Sequence, residues 1–226
     1  MAGQGATNAT GVFHRLPQEK QEQVYAAAAA EFAAHGYEKA NTNTIARRAG
    51  ISVGSLFQYF RTKSDLFLAL VDHGTTTLLA PVVEEAKEAE DIFTLFRLML
   101  ERARAFALQY PDYNRIYLSL STLIGEPGPT TIARRVESMT IACYNRVLRR
   151  SKEQGIIPEH VDEGLLGFLL DSIVLMYQFS FASDYYKARL MAYTHVDPAA
   201  EDDAWINAIC DMLKSIKDGM LAGSNR

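Results

Sequence analysis

An all-α fold of about nine helices is what this sequence predicts, and three observations carry it. No stretch alternates polar and apolar residues over strand length, and no hairpin dipeptide punctuates the chain. Apolar residues recur instead at helical spacing in one segment after another, with glycine and proline marking the breaks. Between Asn41 and Lys63 the chain reads N-T-N-T-I-A-R-R-A-G-I-S-V-G-S-L-F-Q-Y-F-R-T-K, two short helices on either side of a tight turn.

Residues 1–11 carry Gly3, Gly5, Thr7, Asn8 and Thr10, with neither a basic start nor an apolar stretch, and are expected to be a flexible arm rather than a signal peptide. The first helix begins near Pro17, a residue suited to a first turn, and runs to His35, where Gly36 closes it. Val24, Ala28 and Phe32 line one side of it, and the run Ala26–Ala30 permits close approach of a neighbouring helix. Asn41 caps the next helix, whose narrow apolar face is Ile45, Ala46 and Ala49. Gly50 ends it, because glycine alone enters the left-handed region without steric cost. Ile51 plugs the corner and Ser52 caps the second short helix. There Leu56 and Phe60, four apart, turn inward and leave Gly54, Ser55, Phe57, Gln58 and Tyr59 outside. A small, polar and aromatic outer face framed by Arg47, Arg48, Arg61 and Lys63 suits a major groove.

A fourth helix starts after Thr62, with Asp65 as its capping partner, and continues toward Val83 with a kink expected at Gly74 or Pro81. His73 on it reads first as a packing or surface histidine. Further helices are expected over about Asp91–Gln109, Asp112–Ile124, Thr130–Gln154, Val161–Ser183 and Asp203–Leu221. The stretch Gly125–Pro129 separates the second and third of these as a loop, and a polar loop containing Asp197-Pro198 precedes the last. The Val161–Ser183 segment is apolar on most of its circumference and must be covered on several sides. The division that follows is an arm at 1–11, a head at 12–62 and a body at 63–226.

Charge is distributed in keeping with that division. Residues 1–65 hold seven Lys/Arg against five Asp/Glu, and the remainder sixteen against twenty-two. A mildly basic head on an acidic body fits a compact nucleic-acid contact rather than nonspecific coating. Cys143 and Cys210 belong to no CxxC pair and read as buried thiols of a reducing compartment. No apolar run approaches the ~20 residues needed to span a bilayer, so a cytoplasmic protein is expected. The five histidines form no HExxH pair, and phosphate-loop and nucleophile-elbow patterns are absent, so neither an enzyme nor a metal or cofactor is expected.

The pattern T-I-A-x-x-A-G-I-S-x-G-S-L-F-x-Y-F-x-x-K-x-x-L from Thr44 to Leu66 resembles the DNA-binding signature of the tetracycline-repressor (TetR) family of transcriptional regulators. The likeness extends back through R-L-P-x-E-K to A-x-x-E-F-A-x-H-G-Y and covers about the first 75 residues. It implies a ligand-responsive regulator, more often a repressor, that binds a double-stranded operator as a homodimer. Thr42, Asn43 and Arg48 then fall at phosphate-contacting positions. Val53, Gly54, Ser55, Gln58 and Tyr59 fall at groove-facing ones, and Lys63 matches a backbone clamp. Phe57 departs from the frequent tyrosine, which removes a hydroxyl from that contact. Gln58 is the best base reader, since a carboxamide can bond adenine N6 and N7 together. The resemblance places the effector in the body, where Phe96, Met99, Phe106, Tyr113, Tyr117, Tyr144 and Tyr177 supply a mostly apolar lining with a few hydroxyls, as a small hydrophobic or aromatic guest requires. It places the dimer interface on Leu165, Leu169, Ile173, Met176, Ile209, Leu213 and Ile216. The rival readings are a helical protein-interaction module and an activator using the same head.

Overall fold

The computed structural model describes residues 8–120, 127–200 and 203–223. Within them the chain forms eleven helices and no strand. Helices α1 (Gly11–His14), α2 (Gln18–Lys39), α3 (Thr42–Arg48) and α4 (Val53–Tyr59) build the head, and α5 (Lys63–Ala86) leads out of it. The body adds α6 (Ile92–Gln109), α7 (Pro111–Leu120), α8 (Pro127–Glu153), α9 (Glu163–Phe179), α10 (Asp184–Thr194) and α11 (Ala204–Gly223).

The two helices beyond the expected nine have separate causes. α1 is four residues long, too short to show a period. α10 buries none of its residues, so no apolar stripe announces it. The helix expected to run to Ser183 therefore stops at Phe179, and the polar loop begins only after Thr194. Of the loop expected over Gly125–Pro129, Pro127 to Pro129 are helical: Pro127 and Pro129 sit in the first turn of α8, where a missing N–H costs nothing. Gly125 and Glu126 lie outside the described residues, as do residues 1–7 and the end of the helix expected to reach Ile124, from residue 121 on.

Two apolar cores hold the molecule. That of the head gathers Phe13, Val24, Ala28, Phe32, Ile45, Leu56 and Phe60, with Leu66, Phe67 and Leu70 from the first turns of α5. The second, in the body, is built around Ile92, Leu95, Phe96 and Leu100 of α6, packed on Val147 and Leu148 of α8 and Leu170 and Val174 of α9. One body helix crosses between them. Ile116 of α7 is buried in the head core, and Tyr113, Tyr117 and Leu120 pack on the same cluster.

α5 is 24 residues long and apolar enough to cross a membrane by composition alone. Its apolar side chains have other uses: Leu66, Phe67 and Leu70 fill the head core, and Val83 and Ala86 that of the body. The kink expected near Gly74 and Pro81 takes the form of a π-helical turn at Thr75–Leu79, where the Ala80 N–H bonds the Thr75 carbonyl five residues back. Pro81 has no N–H to offer the preceding turn, so the α-helical ladder cannot run through unaltered.

Candidate functional site

The head is held in shape by local chemistry. Asn41 Oδ1 accepts from the Asn43 N–H at 2.9 Å, Ser52 Oγ from Ser55 N–H at 3.0 Å, and Thr62 Oγ1 from Asp65 N–H at 3.0 Å. All three short-range caps therefore form as the sequence implies. Gly50, at φ 63°, makes the turn between α3 and α4. Leu56 and Phe60 point inward and are buried.

Opposite them, α4 presents Val53, Gly54, Phe57 and Gln58 to solvent. Ser55 and Tyr59 are only partly exposed. The Ser55 hydroxyl pairs with that of Ser52 at 2.9 Å, and the Tyr59 ring lies 5.7 Å from Phe13. On α3, Thr42 is half-buried and Asn43 exposed. Arg48 reaches outward from an ion pair with Glu31, 3.4 Å away. The Lys63 ammonium donates to the Glu38 carbonyl at 2.9 Å and lies 5.0 Å over the Tyr37 ring, at the edge of the same surface.

Two positioning groups escaped the sequence reading. Thr10 donates its N–H to the Tyr59 carbonyl at 2.9 Å and its hydroxyl to the Gln58 carbonyl at 2.8 Å, so the end of the expected arm closes the C-terminus of α4. No local pattern ties residues 48 positions apart. Glu31 is 3% exposed; its Oε1 accepts the Asn41 N–H at 3.1 Å while the other oxygen faces Arg48. A carboxylate between Ala28 and Phe32 on the buried side of α2 was the signal that could have revealed it.

Beneath the head lies a cavity with a free volume of about 120 Å³, on the scale of a single aromatic ring. Val71, Gly74, Thr75, Leu78 and Leu79 of α5 form its roof, including part of the π turn. Met99, Ala103 and Phe106 of α6 and Tyr113, Ile116 and Tyr117 of α7 form its walls. Four of the seven residues expected to line it, Met99, Phe106, Tyr113 and Tyr117, thus come together. Phe96, Tyr144 and Tyr177 do not line it and are corrected here: Phe96 is core, Tyr144 is buried between α8 and α9, and Tyr177 stacks on Trp205 at 4.4 Å. Aromatic density along the sequence cannot distinguish the cavity side of a helix from the core side.

Polar groups that the sequence did not single out also reach the cavity. Gln178 is locked in a reciprocal pair with Asn114, at 3.1 and 3.0 Å. Arg102 is held by Glu85, to which its Nε donates at 2.9 Å. Asp171 and Glu137 complete the lining. Burial, then the like charge of Glu137, pushes the Asp171 carboxyl up to about 6, and burial raises Glu137 as well. Against the roof, a Cβ on Gly74 would stand 2.9 Å from the Tyr113 ring, so α5 and α7 touch at a point where only glycine fits. His73, one residue before, stacks on Tyr25 at 4.2 Å and faces Glu22 at 3.3 Å, which makes it a packing residue of the head–body junction.

The far side of the body is apolar and uncovered. Leu165, Phe168, Leu169 and Met176 of α9 and Met212 and Ile216 of α11 are all at least 40% exposed. Of the expected interface residues, Leu165, Leu169, Met176 and Ile216 belong to this surface. Ile173, Ile209 and Leu213 pack partly against the body core instead.

The chain thus combines a helix-turn-helix head with a helical body that holds a mostly apolar cavity open at one edge. Residues 24–70 match the model of the bacterial regulatory proteins, tetR family. The chain is 26% identical over 164 residues to the transcriptional activator FasR of Mycolicibacterium smegmatis, covering 70% of this chain and 73% of that protein. It is 27% identical over 163 residues to the transcriptional repressor Rv1474c of Mycobacterium tuberculosis, covering 69% and 78%. In fold it is similar to the regulator FadR of Bacillus subtilis, solved with stearoyl-CoA, at a TM-score of 0.67 and 18% identity over 86% of this chain and 97% of that one. Residues 24–70 thus match the DNA-binding part of the tetR family, and over about 70% of its length the chain is similar to DNA-binding transcriptional regulators. Its relatives are regulators, not enzymes.

Proposed function

We propose that this protein is a homodimeric repressor that releases its operator when a small hydrophobic or aromatic molecule enters the cavity under the head. The observation that carries this reading is the shared helix α5: its first turns are packed into the head core, and its next turns roof the cavity. A guest that displaces the roof must move the head, and α7, wedged between the head core and the cavity wall, moves with it. Two heads must meet half-sites about 34–36 Å apart or a multiple of this, so a shift of several Å suffices for release. A guest acts only through its preference for the released form, ~1.4 kcal/mol for each tenfold loss of operator affinity.

Gln58 is assigned base reading, with Val53, Gly54, Ser55, Phe57 and Tyr59 around it. Thr42, Asn43, Arg48 and Lys63 hold the phosphates. The uncovered face of α9 and α11 is assigned to the second copy, and Phe168, 70% exposed at its middle, joins the residues expected there.

Selection from a random duplex library tests the assignment and should return a two-fold symmetric site. Gln58→Ala should then relax one base position per half-site, at ~1–3 kcal/mol. Lys63→Ala should weaken all sequences alike and lower the salt slope by about one. Equal losses on every sequence from both variants would contradict it, and sedimentation of a folded monomer at micromolar concentration would sink the dimer. Filling the cavity with Ala103→Phe should leave operator binding intact and abolish the response to effector.

A further inference from the structure

We infer that the guest is a cation: a protonated or quaternary amine on a small aromatic or alkyl body, its charge held between Asp171 and Glu137. This rests on the reading of the cavity as an effector site and names the chemistry of that effector.

The lining is apolar and aromatic except for a few groups, and those other than the two carboxylates are occupied. Arg102 is held by Glu85, and Gln178 by Asn114. Among the described residues, no cation and no hydrogen-bond donor satisfies Asp171 or Glu137. Asp171 is half-buried and Glu137 exposed, so the carboxylates mark a path from solvent toward the interior.

Tyr144 stands behind the lining rather than in it, and adds a second polar group without a partner. It follows Glu137 and Thr140 at positions i, i+3 and i+7 on one face of α8. Its Cβ lies 3.6 Å from where Gly167 would carry one, so it rests on α9 one turn before Asp171. Its hydroxyl is buried, with the residue 3% exposed, and has no hydrogen-bond partner. The charge of Asp171 reaches it, as the charges of both Asp171 and Glu137 reach the Tyr117 hydroxyl.

Two carboxylates and the Tyr117 phenol thus share the lining of a pocket whose other walls include Phe106 and Tyr113. Aromatic faces and carboxylates together are the surroundings an ammonium group prefers. An anionic guest would meet two like charges there. A neutral one would leave the half-buried Asp171 without a partner.

The test uses the intact protein and three probes of one shape and different charge: 2-phenylethylamine, 2-phenylethanol and phenylacetate, with benzyltrimethylammonium as a permanent cation. Calorimetric titration should show the two cations binding roughly 10-fold to 100-fold tighter than the alcohol, the margin of a charged hydrogen bond or ion pair, with phenylacetate weakest. Asp171→Asn should remove most of that preference, and Glu137→Gln, at the exposed edge and without risk to folding, part of it. Cation binding that is no tighter than alcohol binding, absent cation binding, or a preference unchanged in both variants overturns the inference. Operator release is read in parallel. Release by the alcohol or phenylacetate without any cation preference overturns the charge assignment and leaves the induction reading standing. Tight, Asp171-dependent amine binding without release supports the charge assignment and overturns induction.

Discussion

Glu31 in the head and Asp171 in the body are both carboxylates withdrawn from water, and their surroundings are opposite. Glu31 receives the Asn41 N–H and faces Arg48 and His35, so its charge is spent on joining α2 to α3. Among the described residues, Asp171 meets the like charge of Glu137 and no cation pairs with it. The head sets a cation beside its buried carboxylate, although Glu31 Oε2 accepts no hydrogen bond. The body keeps an unbalanced charge beside an open space, which is a cost to folding unless something else arrives to meet it.

The comparison can be broken most forcefully at the two cores. Phe60 of the head and Phe96 of the body are each 1% exposed, and either change to Ala should cost about 3–5 kcal/mol. Phe60→Ala should abolish operator binding while the cavity still takes its guest, and Phe96→Ala should lose both functions. Thermal melting with both binding assays decides it: loss of guest binding in Phe60→Ala would show that head and body unfold as one unit.

Next in size is Asp171→Asn. A carboxyl held at about 6 rather than its ordinary 3.8 costs up to about 3 kcal/mol once ionised. Because the folded value is raised, that cost is absent below about pH 4 and complete above about pH 6. The variant should therefore match the wild type in acid and exceed its stability at neutral pH. Denaturant titrations at pH 4 and 7.5 measure the gap, and an equal difference at both values would reject the buried charge as its cause.

Glu31→Gln is the counterpart with the opposite sign. It should destabilise by about 1–3 kcal/mol, since Arg48 loses its partner and the Asn41 N–H retains at best a weaker acceptor. A gain in stability, from the same denaturant titrations, would erase the contrast between the two carboxylates.

The smallest effect belongs to a cap. Ser52→Ala removes the acceptor for the Ser55 N–H and should cost about 1 kcal/mol, read as a lowered melting temperature. Operator affinity should fall along with it, because frayed first residues of α4 carry Val53 and Gly54 out of position. Unchanged affinity would mean that DNA reorders this turn on binding.

The sequence by itself determined the all-α class, the head from α2 to α4, and its caps and turn, because each rests on residues fewer than five apart. Asn41 with Asn43, Ser52 with Ser55 and Gly50 at positive φ need no distant partner, so their chemistry is legible in a line of letters. It also gave the exposed set Val53, Phe57 and Gln58, since Leu56 and Phe60 settle which side of a seven-residue helix faces in. Tertiary structure alone decided what lies far apart in the chain. Thr10 closing α4, Glu31 joining α2 to α3 and Ile116 entering the head core are pairings that no local period encodes. The cavity is of the same kind. Tyr117 faces it and Tyr177 does not, although both are aromatics on apolar helices, because their sides were fixed by which neighbours each helix met. Asp171 looked like an interruption in an apolar helix, and its meaning depends on α8 bringing Glu137 to the same cavity.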